Sequence, residues 1–583
     1  MTAAPRTFVL TLFAALATSS GCERTPEADD TKVDPPADAQ AREQHEALKR
    51  EAHKEALAAA LRSGRSVFIA ADPLGAYAAG RAPAAPPPLS LADRQALRER
   101  LEIAKRDAGE IDERYLDPPE VVILRTLRFG LTRLYDELER HPQLRLDPQA
   151  GLRAVAETLD ELEYRLLGAD CDAACLELPA GLAADLPTLR DQLEGASLPA
   201  LSGAKATATQ LAARARGLAQ RSAGVRGEDL DDAQGEALAR DLAALAAALD
   251  EHAAWLATAE AAVPKASASA AWTDEAPPLR PGGVEELVRM PAHLGARALR
   301  RRLSVGERVD LDLERAVADG ERFIGRWEAI ETQLIGAETS AEAVLAEDPA
   351  APPSVARCEA LVERIREDLA AVEEVAAPEL DCARFVQLHT PEAIPEGALA
   401  LEILDRAVIE PQRRKLRGEE LPELALIRGR WSEDVHRHLR RIMLLSRIEH
   451  PQARAQAVIE GREALCLSTA ALWIHAERGA PADLTLGPAC AMLGDPAAID
   501  ARVSADPDAA LTGFGLSLIG DEPARMVGFD RFFWAPLGLM KTLSTPPGMH
   551  PDAFVLPDDP MPAPEPAIDV KVETFGADAQ ASE

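Results

Sequence analysis

Between residues 41 and 476 the apolar residues of this chain recur every three or four positions. The segments patterned this way lack both the strict alternation and the β-branched enrichment of half-buried strands. Such spacing puts an apolar stripe along one face of each helix, and the stripes must be buried against one another. The expected fold class is therefore all-α: a large multi-helix body of packed antiparallel helices, with a disordered N-terminal tether and C-terminal tail. Composition sets how closely the helices approach. Apolar residues make up 47% of the chain but aromatics only 4%, so alanine and leucine supply most of the core.

The individual segments follow from local signals. Residues 41–62 read as a charged helix with a narrow stripe of Leu48, Ala52, Leu57 and Leu61, and Ser90 caps a second helix at 91–111 after a proline-rich loop. Helical periods continue over 121–138, 148–167, 186–193, 206–220 and 233–261. They resume with Leu313, Val317, Gly320, Ile324, Trp327 and Leu334 on one face, then over 355–375, 398–416, 433–446 and 452–476. An aromatic group at Phe529, Phe532, Phe533 and Trp534 reads as core.

Composition divides the chain into regions. Residues 41–263 form an N-terminal helical region and 284–555 a C-terminal one. Between them 264–283, rich in Pro, Ala and Ser, is either an interdomain linker or a long surface loop. Residues 23–40 mix proline with acidic residues and read as a solvated tether, and 556–583 as a disordered acidic tail. The formal charge of −33 repels phosphate backbones and anionic lipid headgroups, which argues against a nucleic-acid partner.

The first 22 residues read as a lipoprotein export signal: Arg6, an apolar run from Phe8 to Ala17, then small residues ending at Cys22. Acylation of the Cys22 thiol would tether the protein through its lipid. A rival cut lies after Ala17, and Ser19 stands where leucine is usual. No later apolar stretch approaches the ~18 residues of a spanning helix, so membrane attachment rests on the lipid. Glu23 does not supply the aspartate that retains lipoproteins in the inner membrane of some bacteria, which favours the outer membrane.

Six further cysteines in an exported chain point to disulfides. Cys171 and Cys175 lie at a helix end before Pro179, where a tight loop can close. Cys466 and Cys490 flank a break at Gly479 and Pro481. Cys358 and Cys382 can pair if residues 376–382 run straight back along the preceding helix.

Complete catalytic motifs are absent. Gly515 to Gly520 has phosphate-loop spacing, but Asp521 and Glu522 follow and would repel phosphate. Ser202 and Lys205 match a serine-x-x-lysine motif by letter only, without its companions. Glu433 with His436, and Asp434 with His438, share helix faces, yet a carboxylate-bridged metal site needs a second such helix.

The stretch His389-Thr-Pro-Glu392-Ala-Ile-Pro395-Glu-Gly397-Ala-Leu, with the helical pattern from about Leu101 to Ala476, resembles an all-helical bacterial family of unknown function. Its members are often lipoproteins, and their His-Glu-Ala-x-Pro-Gly-His-His signature suggests a zinc-dependent peptidase. A second similarity is Ile459-Glu460-Gly461-Arg-Glu-Ala464-Leu465, like that family's Glu-Gly-Trp-Ala-Leu segment. The resemblance implies Glu392 as general base and Glu460 as a zinc ligand, with His389, three residues early, available to be recruited as another. This chain departs at the other ligands: Pro391 replaces the preceding histidine, Ala398 and Leu399 replace the later pair, and Glu396 is inserted before Gly397.

Two functions follow as expectations. The first is a lipid-anchored envelope protein that binds a protein or peptide, or supports structure, without catalysis or cofactor. The alternative is a zinc-dependent peptidase-like hydrolase with a degenerate metal site.

Overall fold

In the computed structural model the described residues run from 37 to 507. They exclude 141–142, 169, 223–231, 264–286, 308–312, 338, 371–377, 390–392, 412–413, 415–440, 443, 477–478 and 480. The leader, Cys22, tether residues 23–36, the residues between the two helical regions, the 433–438 carboxylates and histidines, the 529–534 aromatics and the acidic tail lie outside them; residues 37–40, read from the sequence as the end of the tether, instead open the helix Ala37–Ala71. The chain divides into a unit of Met1–His53 and a unit of Lys54–Glu583.

The described part of the first unit is the opening of helix α1, Ala37–Ala71. Its residues 42–48 are exposed, including Leu48 at 71%. The narrow stripe read from the sequence is therefore buried only later, at Leu57, which joins Phe68, Leu101, Leu124 and Leu127 in a core cluster of the second unit.

That second unit is all-α, with regular strand limited among the described residues to Gly195–Ala196 paired in parallel with Val288–Arg289. Helices α2 (Leu91–Gly109) and α3 (Pro118–Tyr135) pack together. Ser90 caps α2 by accepting the Asp93 N–H, as its position in the sequence implies. Then come α4 (Gln149–Gly168), α5 (Ala173–Gln192), α6 (Leu198–Ser222) and α7 (Asp232–Ala262). Helices α6 and α7 run antiparallel, since Lys205 pairs with Glu260 at 2.5 Å while Arg216, further along α6, pairs with the earlier Asp250. Ala204, Ala208, Ala212 and Ala215 of α6 and Leu238, Leu242, Leu245 and Leu249 of α7 are buried, the small residues letting the leucines fill the seam.

Sequence boundaries shift most at α5. Pro179 suggests a stop, yet the helix runs through both Pro179 and Pro187. Each proline removes one backbone hydrogen bond, at roughly 3 kcal/mol. Burial of Leu178, Pro179, Leu182, Leu186 and Leu189, each leucine contributing about 1.5–3 kcal/mol, offsets that loss.

Beyond the parallel pair lie α8 (Leu313–Ile335), α9 (Val355–Leu369), α10 (Cys382–Leu388), α11 (Glu396–Leu404), α12 (Pro451–His475) and α13 (Pro496–Ala505). A π-turn, Asp405–Ile409, extends α11. One hydrophobic cluster joins Leu159, Leu211 and Leu249 to Phe385, Leu399 and Leu445, so residues on both sides of 264–283 share a core. A second cluster holds α12 against α8, with Trp327 and Leu465 inside it.

Three cysteine pairs are bonded. Cys171–Cys175 lies at the start of α5, Cys358–Cys382 ties α9 to α10, and Cys466–Cys490 ties α12 to the turn at Pro488–Leu493. Arg366 of α9 donates to the Pro378 carbonyl at 3.2 Å, so the chain does return along that helix toward Cys382.

Candidate functional site

His389 terminates α10. Its backbone N–H donates to the Phe385 carbonyl at 2.9 Å and its ring stacks on Phe385 with centroids 5.2 Å apart. Its Nδ1 lies 3.4 Å from Glu402 Oε1 of α11. Burial alone would raise the Glu402 carboxyl, but His389 and Arg406 outweigh it and hold the group below its ordinary range.

From there a chain of charges crosses the body. Arg406 donates to Glu402 at 3.3 Å and to Glu163 of α4 at 3.5 Å. Arg214 of α6 grips Glu163 at 2.9 and 3.1 Å and reaches Asp160 at 2.6 Å. Beside it Glu161, buried, accepts from Arg165 at 2.8 Å and from Arg414 at 2.8 and 2.5 Å. The Arg414 guanidinium also lies 3.6 Å over the Tyr164 ring. His389 is thus the end member of a network tying α10, α11, α4 and α6.

Glu392 lies outside the described residues. The segment that follows it is built into the fold. Ile394 exchanges backbone hydrogen bonds with Ala351 at 3.0 and 3.1 Å, and Asp348 accepts the N–H groups of Glu396 and Gly397 at 2.9 and 2.8 Å. Asp348 therefore satisfies two of the open donors at the start of α11. Gly397 has a steric reason to be glycine: a Cβ there would meet the Gln452 carbonyl oxygen at 2.5 Å.

Glu460 sits on α12. Its Oε2 accepts from Arg441 at 2.5 Å and its Oε1 from Gln456 at 3.0 Å. Arg441 also grips Asp405 in the π-turn, with Nε donating at 2.7 Å. Burial pulls the Arg441 pKa down, but Asp405 and Glu460 outweigh it and raise it. Glu460 and His389 thus each carry a protein partner, and a cation at Glu460 would compete with a guanidinium. Among the described residues no group of three or more His, Cys, Asp or Glu side chains is placed to share a metal ion. Gly461 and Leu465, from the same similar segment, pack instead: a Cβ on Gly461 would lie 2.6 Å from the Trp327 ring, and Leu465 is buried. Lys205 of the serine-x-x-lysine letters is held by Glu260, and Ser202 is exposed.

Other polar clusters had no sequence signal, because their members are far apart in the chain. Buried Arg462 donates to Glu331 at 3.0 Å and pairs with Glu342, while Glu331 accepts the Ala341 N–H at 2.7 Å. His293 Nε2 lies 2.8 Å from Asp500, and the buried His475 Nδ1 accepts the Leu294 N–H at 3.3 Å. No helix among the described residues is long and apolar enough to cross a membrane.

Comparison with known proteins adds little to this geometry. No protein-family model and no curated protein matches the chain. A solved structure from Shewanella oneidensis, of unknown function and provisionally classed as a lipoprotein, is similar at a TM-score of 0.43 and 11% identity. That similarity covers 79% of this chain and 91% of that one.

Proposed function

We propose that the chain is a cell-envelope lipoprotein, exported under residues 1–22 and acylated at Cys22, whose helical body acts by binding or structural support. The observation that carries the non-catalytic part is the engagement of Glu460. The residue that a peptidase reading makes a zinc ligand is tied to Arg441 and, through it, to Asp405. His389, the other ligand candidate, ends a charge network between helices. Export is supported by the three bonded cysteine pairs, which persist in oxidising compartments. The partner is a protein or peptide, the membrane contact is the lipid, and Glu23 favours the outer membrane.

Metal analysis of protein purified without chelator tests the non-catalytic reading. Substoichiometric zinc is expected. One zinc per chain, with peptide hydrolysis lost in Glu392→Gln but folding kept, would establish the hydrolase instead. Radiolabelled palmitate tests the anchor: incorporation is expected in the natural chain, and a Cys22→Ser variant that still incorporates label would refute acylation at that thiol.

A further inference from the structure

Helix α12 begins with an unusual cap. The Nδ1 of His450 accepts the Ala453 N–H at 3.2 Å, a role that serine, threonine, aspartate or asparagine normally fills through oxygen. A ring nitrogen can accept only while it carries no proton, so the cap requires the tautomer protonated on Nε2. That nitrogen faces Glu396 Oε1 of α11 at 3.5 Å, and the residue is 1% exposed.

The surroundings are mixed in charge. Glu396 comes from α11, Asp348 from the segment before α9, and Arg364 from α9. Arg357 of α9 also reaches Glu396 at 4.0 Å, while Arg454 of α12 is turned to the Leu445 and Ile448 carbonyls. Burial holds the imidazole below its ordinary range, and Glu396 and Asp348 pull against that. The first turns of α11 and α12 abut at Gly397 and Gln452. Two caps therefore meet at one junction.

We propose that this junction is an acid-operated latch, in which a proton from solvent taken up on His450 Nδ1 abolishes the α12 cap and frays the first turn of α12 against α11. Protonation converts the acceptor into a second donor facing the Ala453 N–H. The imidazolium is then drawn toward Glu396, away from the helix end. The latch does not depend on the lipid anchor or on the absence of catalysis.

Hydrogen exchange of the full chain, followed by mass spectrometry between pH 7.5 and 4.5 and corrected for intrinsic rates, tests it. Peptides over 450–458 should lose protection by about fivefold or more, the size of a lost cap, while those over 465–474 stay protected. His450→Asn supplies an acceptor that does not titrate and should abolish the acid response. Glu396→Gln removes the carboxylate that favours the imidazolium and should move the response to lower pH. Unchanged protection of 450–458 in the natural chain, an equal acid response in His450→Asn, or an unmoved midpoint in Glu396→Gln would each overturn the latch.

Discussion

Replacing Gly461 by alanine should destabilise the protein even though alanine is the better helix former. On α12 the new Cβ would lie 2.6 and 2.8 Å from Cζ2 and Cη2 of Trp327. Comfortable carbon contacts are about 3.5–4.0 Å, so the ring or the helix must yield by about 1 Å. The ring has little room, because Trp327 is fully buried and its Nε1 donates to the Val458 carbonyl at 2.9 Å. Overpacking of this kind costs about 1–3 kcal/mol, and the propensity gain of about 1 kcal/mol recovers only part of it. The expected net loss is up to about 2 kcal/mol, centred on about 1 kcal/mol. Gly325 of α8 supplies the control, since a Cβ there meets nothing within 4 Å. Gly325→Ala should therefore gain up to about 1 kcal/mol from the same chemical change. Urea unfolding of the oxidised protein, compared at constant slope, measures both. Trp327→Phe combined with Gly461→Ala should cost less than the sum of the two singles, because the smaller ring leaves space for the methyl. A Gly461→Ala midpoint at or above that of the natural chain would refute the close packing of α8 on α12.

Three further outcomes are expected. His252 is 2% exposed, and burial, then the Arg190 charge, lower its pKa from 6.5 to about 4. The unfolded chain binds the proton first, so stability should be full above pH 6.5 and fall by roughly 3 kcal/mol as pH drops toward 4. His252→Leu should flatten that limb in pH-dependent urea titrations. Arg462→Met should cost about 3 kcal/mol or more, since it strips Glu331, 9% exposed, of its guanidinium; a loss under 1 kcal/mol in the same unfolding assay would contradict the pair. Removing Cys466–Cys490, whose partners are separated by 24 positions, should cost about 3.5 kcal/mol of chain-entropy stabilisation, against about 2 kcal/mol for Cys171–Cys175, separated by 4; calorimetry of the paired alanine variants would expose a reversed order.

The elements were legible because their signals are local. The 233–261 period became α7 within a residue at each end, and the 452–476 period became α12 in the same way, since a leucine stripe and a terminal proline act within one or two turns. Pro179 misled for the same reason: it breaks an isolated helix, but α5 has other helices to pack against. The candidate site was less legible. Glu460 and His389 stand out in sequence as isolated polar residues near a familiar pattern. Their partners Arg441 and Glu402 lie 19 and 13 positions away on other elements, beyond the reach of any helical period.

Sequence alone determined the all-α class and the Ala/Leu manner of packing, and it narrowed the cysteine pairings to candidates, because propensity, periodicity and loop reach depend on neighbours along the chain. Tertiary structure alone decided what the polar residues do. It set Glu460 on a guanidinium, made His450 a helix cap, and gave Gly461 a tryptophan to accommodate, because hydrogen bonds, ion pairs and close contacts depend on distance in space.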